Sequence, residues 1–243
     1  MSDVKIHVQN VSKHFREIMA LDDVSAQFNG GVLYGVIGSA GAGKTTLFRI
    51  MLNLMRANSG VVQYHENGRG IAFENIQNRI AYMPQSQSLY PDLSVAEHLN
   101  FFRKLYGISD SDFVRKKSEL VHLARLDNFL DRPAGKLSGG MYKKLGLICA
   151  LLRSPQIMLL DEPTNGVDPI SRREFWDLLN DAVVRGILVI MSTAYMDEAE
   201  RCGNVILMEH GHVLAAGVPQ DLLTQYNSRN FDDLFLHRGG MYK

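Results

Sequence analysis

The segment Gly38-Ser39-Ala40-Gly41-Ala42-Gly43-Lys44-Thr45 has the pattern G-x-x-x-x-G-K-S/T. The chemistry it suits is anion binding. Glycines let the backbone curl until successive N–H groups point at phosphate oxygens, and a following helix adds the positive end of its dipole. In such a loop Lys44 reaches the terminal phosphates and the Thr45 hydroxyl ligates Mg2+, with Thr46 beside it in the first helical turn. A second segment, Ile157-Met158-Leu159-Leu160-Asp161-Glu162, ends an apolar run in two acids. Next to a phosphate loop, Asp161 would hold the metal through water, and Glu162 would orient and deprotonate an attacking water. Mg2+ is the ion expected, because the donors are hard oxygens shared with phosphate.

These residues need rigid elements to position them. Residues 32–37 form an apolar run that leads into the glycine-rich turn, and Leu47, Ile50, Met51 and Leu54 then recur at helical spacing. Residues 5–9 and 24–28 alternate like strands, and 157–160, 187–191 and 205–208 are further strand-like runs. Ser171 and Glu174 have capping-box spacing ahead of an apolar face of Phe175, Leu178, Leu179 and Ala182. Strands alternating with helices predict an α/β fold with a mainly parallel sheet. The stretch 86–136 has no convincing buried strand. Ser94 and Glu97 predict a capped helix running to Tyr106 and stopped by Gly107, and a second helix is expected over 110–123.

Leu137-Ser138-Gly139-Gly140-Met141 precedes a helical stretch reaching Arg153. Ser138 can cap that helix, while Gly139 and Gly140 leave its first amides open to an anion. This segment resembles the signature motif of ATP-binding cassette (ABC) proteins, and other pieces of that family's pattern follow suit. Gln85, after Ala81-Tyr82-Met83-Pro84, resembles the Q-loop, and Asn165-Gly166-Val167-Asp168 resembles the D-loop. Phe15 stands where the family places an aromatic ring against adenine. Alone, Phe15 also fits core packing and Gln85 a loop glutamine.

The resemblance implies a P-loop NTPase core with a mainly parallel sheet, an N-terminal antiparallel β subdomain and an inserted all-helical subdomain. It implies one domain over 1–243, with the core in about 1–85 and 137–230, the helical insertion in 86–136 and a short tail in 231–243. It implies ATP and Mg2+ as cofactors. Two cassettes would pair head to tail, so that Ser138, Gly139 and Gly140 cap the γ-phosphate held by the partner's phosphate loop. Gln85 would touch Mg2+ or the attacking water and act as hinge to the helical insertion. Segments such as Leu89-Tyr90-Pro91-Asp92-Leu93-Ser94 and Tyr195-Met196-Asp197-Glu198-Ala199-Glu200 resemble ABC-2 type exporters, above all the first cassette of bacterial fused two-cassette exporters. The partners so implied are a second cassette, identical or different, and an ABC-2 type permease contacted by residues 88–93. The implied location is peripheral, on the cytoplasmic face of the inner membrane.

The sequence departs from the family at Ala194, where a histidine that contacts the γ-phosphate is expected. A methyl group makes no such contact, so weakened hydrolysis is expected, or pairing with a cassette that supplies a complete site. Met141 in place of glutamine, and Ser39-Ala40 in place of Pro-Asn, are milder departures.

Composition narrows the field further. Lys and Arg number 26, as do Asp and Glu, giving zero formal net charge and no reason to expect a nucleic-acid partner. No apolar run approaches the roughly 18–20 residues of a membrane-spanning helix. The first residues lack a signal-peptide pattern, and Cys149 and Cys202 make no disulfide framework, which reads as cytosolic. Cys149 is expected in the core, Trp176 half-buried or facing a partner, and His210 and His212 around a hairpin turn with no metal-ligand set. A soluble ABC ATPase of translation or DNA repair, and a regulatory cassette that only binds ATP, remain as alternatives.

Overall fold

The computed structural model describes residues 3–86 and 88–239; of the expected tail over 231–243, residues 240–243 lie outside the described residues. Strands β1 (Val4–Phe15) and β2 (Ile18–Asn29) form an antiparallel hairpin. Strand β3 (Leu33–Gly38) runs into the glycine-rich loop, and helix α1 (Lys44–Met51) follows it. Next come β4 (Ser59–Glu66), β5 (Arg69–Ile71), the single turn α2 (Phe73–Ile76) and β6 (Ile80–Met83). Helices α3 (Val95–Tyr106), α4 (Asp110–Leu123) and α5 (Gly139–Leu151) lead to β7 (Ile157–Asp161). Then follow α6 (Pro169–Val184), β8 (Leu188–Thr193), β9 (Asn204–Glu209), β10 (His212–Gly217), α7 (Pro219–Gln225) and α8 (Phe231–Gly239).

The strands make two sheets. A four-stranded antiparallel sheet has the order β2-β1-β4-β5, and a six-stranded sheet has the order β10-β9-β3-β8-β7-β6. Only the β9–β10 pair of the six-stranded sheet is antiparallel. Its central strands β3, β7 and β8 are buried throughout and apolar up to their tips, because both faces are covered. Leu33, Ile37, Met158, Leu160, Val189 and Met191 join a core with α5 and α6, whereas Tyr34, Val36, Ile157, Leu159, Leu188 and Ile190 join a second core with α1 and the antiparallel sheet. The period of two along each strand thus divides one sheet between two cores. The tips of β3, β7 and β8 are thereby fixed, and these tips carry the phosphate loop, the two acids and Ser192.

Between β6 and α5 the described residues form helices and short 3-10 turns, with one isolated bridge, Ser94 to Pro133. The Ser94–Glu97 capping box is present and Gly107 ends α3 in the left-handed region. Helix α4 has the expected bounds, and α8 forms in the expected tail. Cys149 is buried in α5, and burial pushes its thiol pKa well up. His210 and His212 flank the β9–β10 turn, and no cluster of three metal-ligating side chains occurs among the described residues. No described helix is long and apolar enough to cross a membrane.

Several expectations need correction. Leu54 lies beyond the end of α1 and is exposed, because the helix stops at Met51 and Leu52 caps it. The cap of α6 is Asp168, whose Oδ1 accepts from the N–H groups of Ile170 and Ser171; the Ser171–Glu174 pair is not a capping box, since Pro169 already starts the helix. Trp176 is buried, not half-buried, in the core beneath α6. Strands β1 and β2 are also far longer than the alternating segments 5–9 and 24–28.

Candidate nucleotide site

The loop between β3 and α1 is shaped by glycines with no alternative. Gly43 has φ +102°, and a Cβ there would collide with the Ala20 carbonyl; a Cβ on Gly38 would collide with the Met208 carbonyl. No side chain caps α1 and no acid stands in its first turn, which leaves its N-terminal amides to an anion. Lys44 is 4% exposed and folds back over the loop, its Nζ donating to the carbonyls of Gly38 (2.8 Å) and Ser39 (2.9 Å). The Ser39 hydroxyl donates to Glu209 Oε2 at 2.8 Å, tying the loop to β9. Ala40, Gly41, Ala42, Gly43, Lys44, Thr45 and Thr46 line one cleft together with Gln85 and Glu162.

Glu162 is where the predicted residues converge. Its Oε1 lies 3.3 Å from Lys44 Nζ, its Oε2 accepts from Gln85 Nε2 at 2.8 Å, and Asn165 Nδ2 approaches the same oxygen at 3.4 Å. Its backbone has φ +47°, a left-handed conformation that costs a non-glycine residue about 1 kcal/mol. Ser192 holds it there: the Glu162 N–H donates to the Ser192 hydroxyl at 2.9 Å, and that hydroxyl donates to Asp161 Oδ1 at 2.6 Å. The register of β7 against β8 places Asp161 opposite Ser192. Asp161 is fully buried, and Tyr82 Oη lies 3.5 Å from its other oxygen. Burial, followed by the Asp161 charge, raises the Tyr82 pKa, so the phenol keeps its proton.

The glycines of Leu137-Ser138-Gly139-Gly140 differ in what they do. Ser138 caps α5 by accepting from the Met141 N–H, as expected. Gly139 is open, with only the Gly166 carbonyl near a notional Cβ, at 3.5 Å. Gly140 is buried, and a Cβ there would strike the Ser171 side chain at the start of α6. Its role in this chain is close helix approach. Gly140→Ala is therefore expected to destabilise the protein by about 1–3 kcal/mol through overpacking, read as a lowered melting temperature. From α5, Lys143 Nζ reaches the Gln85 carbonyl at 3.3 Å. Burial lowers the Lys143 pKa, opposed by the charges of Asp161 and Glu162.

Sequence reasoning missed two groups at this site. Ser192 follows the strand-like run 187–191 and suggested itself only as a polar neighbour of Ala194, not as a partner of Asp161; a small polar residue opposite an acid at a strand tip was the available signal. Ile18, Met19 and Ala20 of β2 line the cleft, whereas Phe15 is not among its lining residues. Phe15 pairs with Ile18 across the hairpin end and is 44% exposed, with the Lys13 ammonium 5.3 Å from its ring centroid. It is thus no core residue; it stands beside the exposed apolar pair Ile18 and Met19.

The profile of the ABC transporter family matches residues 21–165. The chain belongs to that family. It is 38% identical over 247 residues to a probable multidrug ABC transporter ATP-binding protein, YbhF, of Escherichia coli, covering 98% of this chain and 42% of that protein. The chain therefore spans less than half the length of that relative. It is 33% identical to the Nod factor export ATP-binding protein I of Burkholderia thailandensis, covering 92% of this chain and 74% of that one. A solved ATP-binding subunit of an ABC transporter superposes with a TM-score of 0.83 at 28% identity, covering 96% of this chain and 99% of the other.

In this ABC protein Ala194 is exposed just past the end of β8, its side chain a single methyl group, and it is not among the residues lining the cleft. Thr193 Oγ1, next to it, accepts from the Tyr195 N–H at 3.0 Å and so serves the local turn.

Proposed function

We propose that the chain is the ATP-binding and ATP-hydrolysing subunit of an ABC-2 type exporter, working as a homo- or heterodimer of cassettes on a membrane permease at the cytoplasmic face of the inner membrane. The observation that carries the catalytic reading is the convergence of Lys44, Gln85 and Asn165 on the Glu162 carboxylate at the mouth of the phosphate loop. Without nucleotide, the Lys44 ammonium donates to two loop carbonyls and is paired with the Glu162 carboxylate. A triphosphate is a stronger partner for that ammonium. Its arrival draws Lys44 away and frees Glu162 Oε1 to accept a proton from water, while Gln85 keeps the carboxylate oriented.

The donor set suits Mg2+. Thr45 and Gln85 offer hard oxygens in the cleft, and the buried Asp161 carboxylate behind them would act through water. Bound Mg2+ would polarise the terminal phosphate. Gly139, open at the start of α5, would face the partner's nucleotide, and Phe15, Ile18 and Met19 would flank the base. The helical stretch 86–136 would transmit motion from Gln85 to the permease, since Lys143 and Tyr142 of α5 bind the backbone of Gln85 and Leu89. The name of the Burkholderia relative, an export ATP-binding protein, supports export, and that of the Escherichia coli relative supports transport.

Recovery of a multi-span membrane protein with the tagged chain from detergent-solubilised membranes, together with Mg-ATP turnover by the purified chain, supports this reading. Recovery of ribosomes or DNA alone would replace it with a soluble ABC ATPase. Ala194 adds a kinetic expectation. Ala194→His should raise turnover about tenfold, the worth of one hydrogen bond to a charged group in the transition state, measured as phosphate release at saturating Mg-ATP. Equal rates would remove the argument from the missing imidazole.

A further inference from the structure

The catalytic carboxylate has a support beyond the residues at its mouth, and it begins one position past Ala194. The Tyr195 hydroxyl donates to Asn165 Oδ1 at 3.3 Å, and Asn165 Nδ2 points onward to Glu162 Oε2 at 3.4 Å. The amide of Asn165 thus accepts on one side and donates on the other, linking a phenol at the end of β8 to the carboxylate at the end of β7. The ring of Tyr195 does not hang free. The Arg172 guanidinium from α6 stacks over it at 4.4 Å.

Arg172 is itself located by acids of the 3-10 turn that follows Tyr195. It lies 3.9 Å from Asp197 and 3.9 Å from Glu198. Glu198 is 1% exposed and accepts from the hydroxyl of the buried Thr164, close to Glu162 in the chain, at 3.0 Å. Helix α8 lies against the same turn, and its Phe231 and Leu234 share a core with Ala199. The ring is therefore held directly by Arg172, and the turn that locates Arg172 is itself braced by Thr164 through Glu198 and by helix α8.

We propose that Tyr195 is a positioning residue for hydrolysis, holding the Glu162 carboxylate in register through Asn165 where Ala194 supplies no polar group. The inference rests on the reading of Glu162 as the group that activates water. Tyr195 touches neither nucleotide nor water in this role. It restricts the rotation of Asn165, and Asn165 restricts the carboxylate at the oxygen opposite Lys44. When Lys44 turns to the triphosphate, Glu162 loses one of its partners, and the Gln85 and Asn165 contacts are what remains to aim it. The load on the Tyr195–Asn165 pair is then greatest in the hydrolytic state, so its loss should appear in kcat.

Tyr195→Phe keeps the ring and the Arg172 stack and removes only the hydroxyl. In the full chain at saturating Mg-ATP, kcat should fall about fivefold, the worth of one ordinary hydrogen bond, with KM for ATP within about twofold of the starting value. In an Asn165→Ala background the same change should have little further effect, because the link is already cut. A purely structural role would lower thermal stability and change kcat and KM together, and independent effects of Tyr195→Phe and Asn165→Ala would multiply. Either result overturns the proposal, as does an unchanged or raised kcat in Tyr195→Phe. Failure of the underlying reading has its own signature: Glu162→Gln would be as active as the unaltered chain, and this inference would fall with it. Full activity of Tyr195→Phe beside an inactive Glu162→Gln would overturn this inference alone.

Discussion

Glu162→Gln is expected to lower ATP turnover by roughly 100-fold or more, the usual contribution of a positioned general base, and to leave ATP affinity within a few-fold of the starting value. The split follows from geometry. On the proposed reading phosphate is bound by the backbone of residues 38–46, by Lys44 and by the open N-terminus of α1, and Lys44 is held to that loop by the carbonyls of Gly38 and Ser39. An amide in place of the carboxylate keeps the shape, and its oxygen can still accept from Gln85. It cannot take a proton from water at neutral pH. The ion pair with Lys44 is lost as well, which removes a competitor for the ammonium and favours the triphosphate. Equilibrium binding of labelled ATP beside steady-state phosphate release separates the two quantities. A parallel loss of both would mean that Glu162 supports the loop and does no chemistry.

This prediction was legible in the sequence because the residues that carry it are contiguous. The glycine pattern with Lys44 and Thr45 sits on one turn, and Asp161 and Glu162 sit on one strand tip. The buried strands were legible for the same reason: a sheet covered on both faces requires unbroken apolar runs such as 157–160. Elements whose patterns are mixed went unread. Strand β4 is mostly exposed or half-buried and carries Gln63, His65 and Glu66 among its residues, so neither period stands out. The neighbours of the acids were illegible for a different reason. Ser192 and Tyr82 reach Asp161 through the parallel register of β8 and β6 beside β7, and Asn165 reaches Glu162 by a turn in the chain. No spacing within one segment encodes the Ser192 and Tyr82 meetings. Phe15 shows the converse: an aromatic at the expected position was readable, but the hairpin geometry gives the cleft lining to Ile18 and Met19.

Glu174 marks the sharpest difference between pattern and structure, and Glu174→Ala is expected to cost about 3 kcal/mol of stability. Its spacing from Ser171 suggested a capping partner. In the structure it turns the other way, to Lys144 of α5 at 2.6 Å and Arg125 at 2.8 Å. The two cations differ in consequence. Arg125 is largely exposed, so its pair is screened by water and worth little. Lys144 is 3% exposed, and Glu174 is the counter-ion the structure gives it. Removing Glu174 strands that ammonium against apolar surroundings, and for a chain of this size the loss corresponds to a melting temperature lower by about 6–12 °C. Arg125→Ala should move it by far less. The discriminating variant is the double change Lys144→Met with Glu174→Leu. Apolar replacement of both partners removes the desolvation cost along with the attraction, so stability should return to near the starting value. Activity should then report the pair's second role. Lys144 and Glu174 clamp α5 to α6 close to the Gly140–Ser171 contact, where the Ser138-capped end of α5 meets the turn carrying Asn165 and Gly166. A chain with restored stability and lowered turnover would show that this ion pair sets the angle at which the glycine pair is presented, over and above holding the helices together.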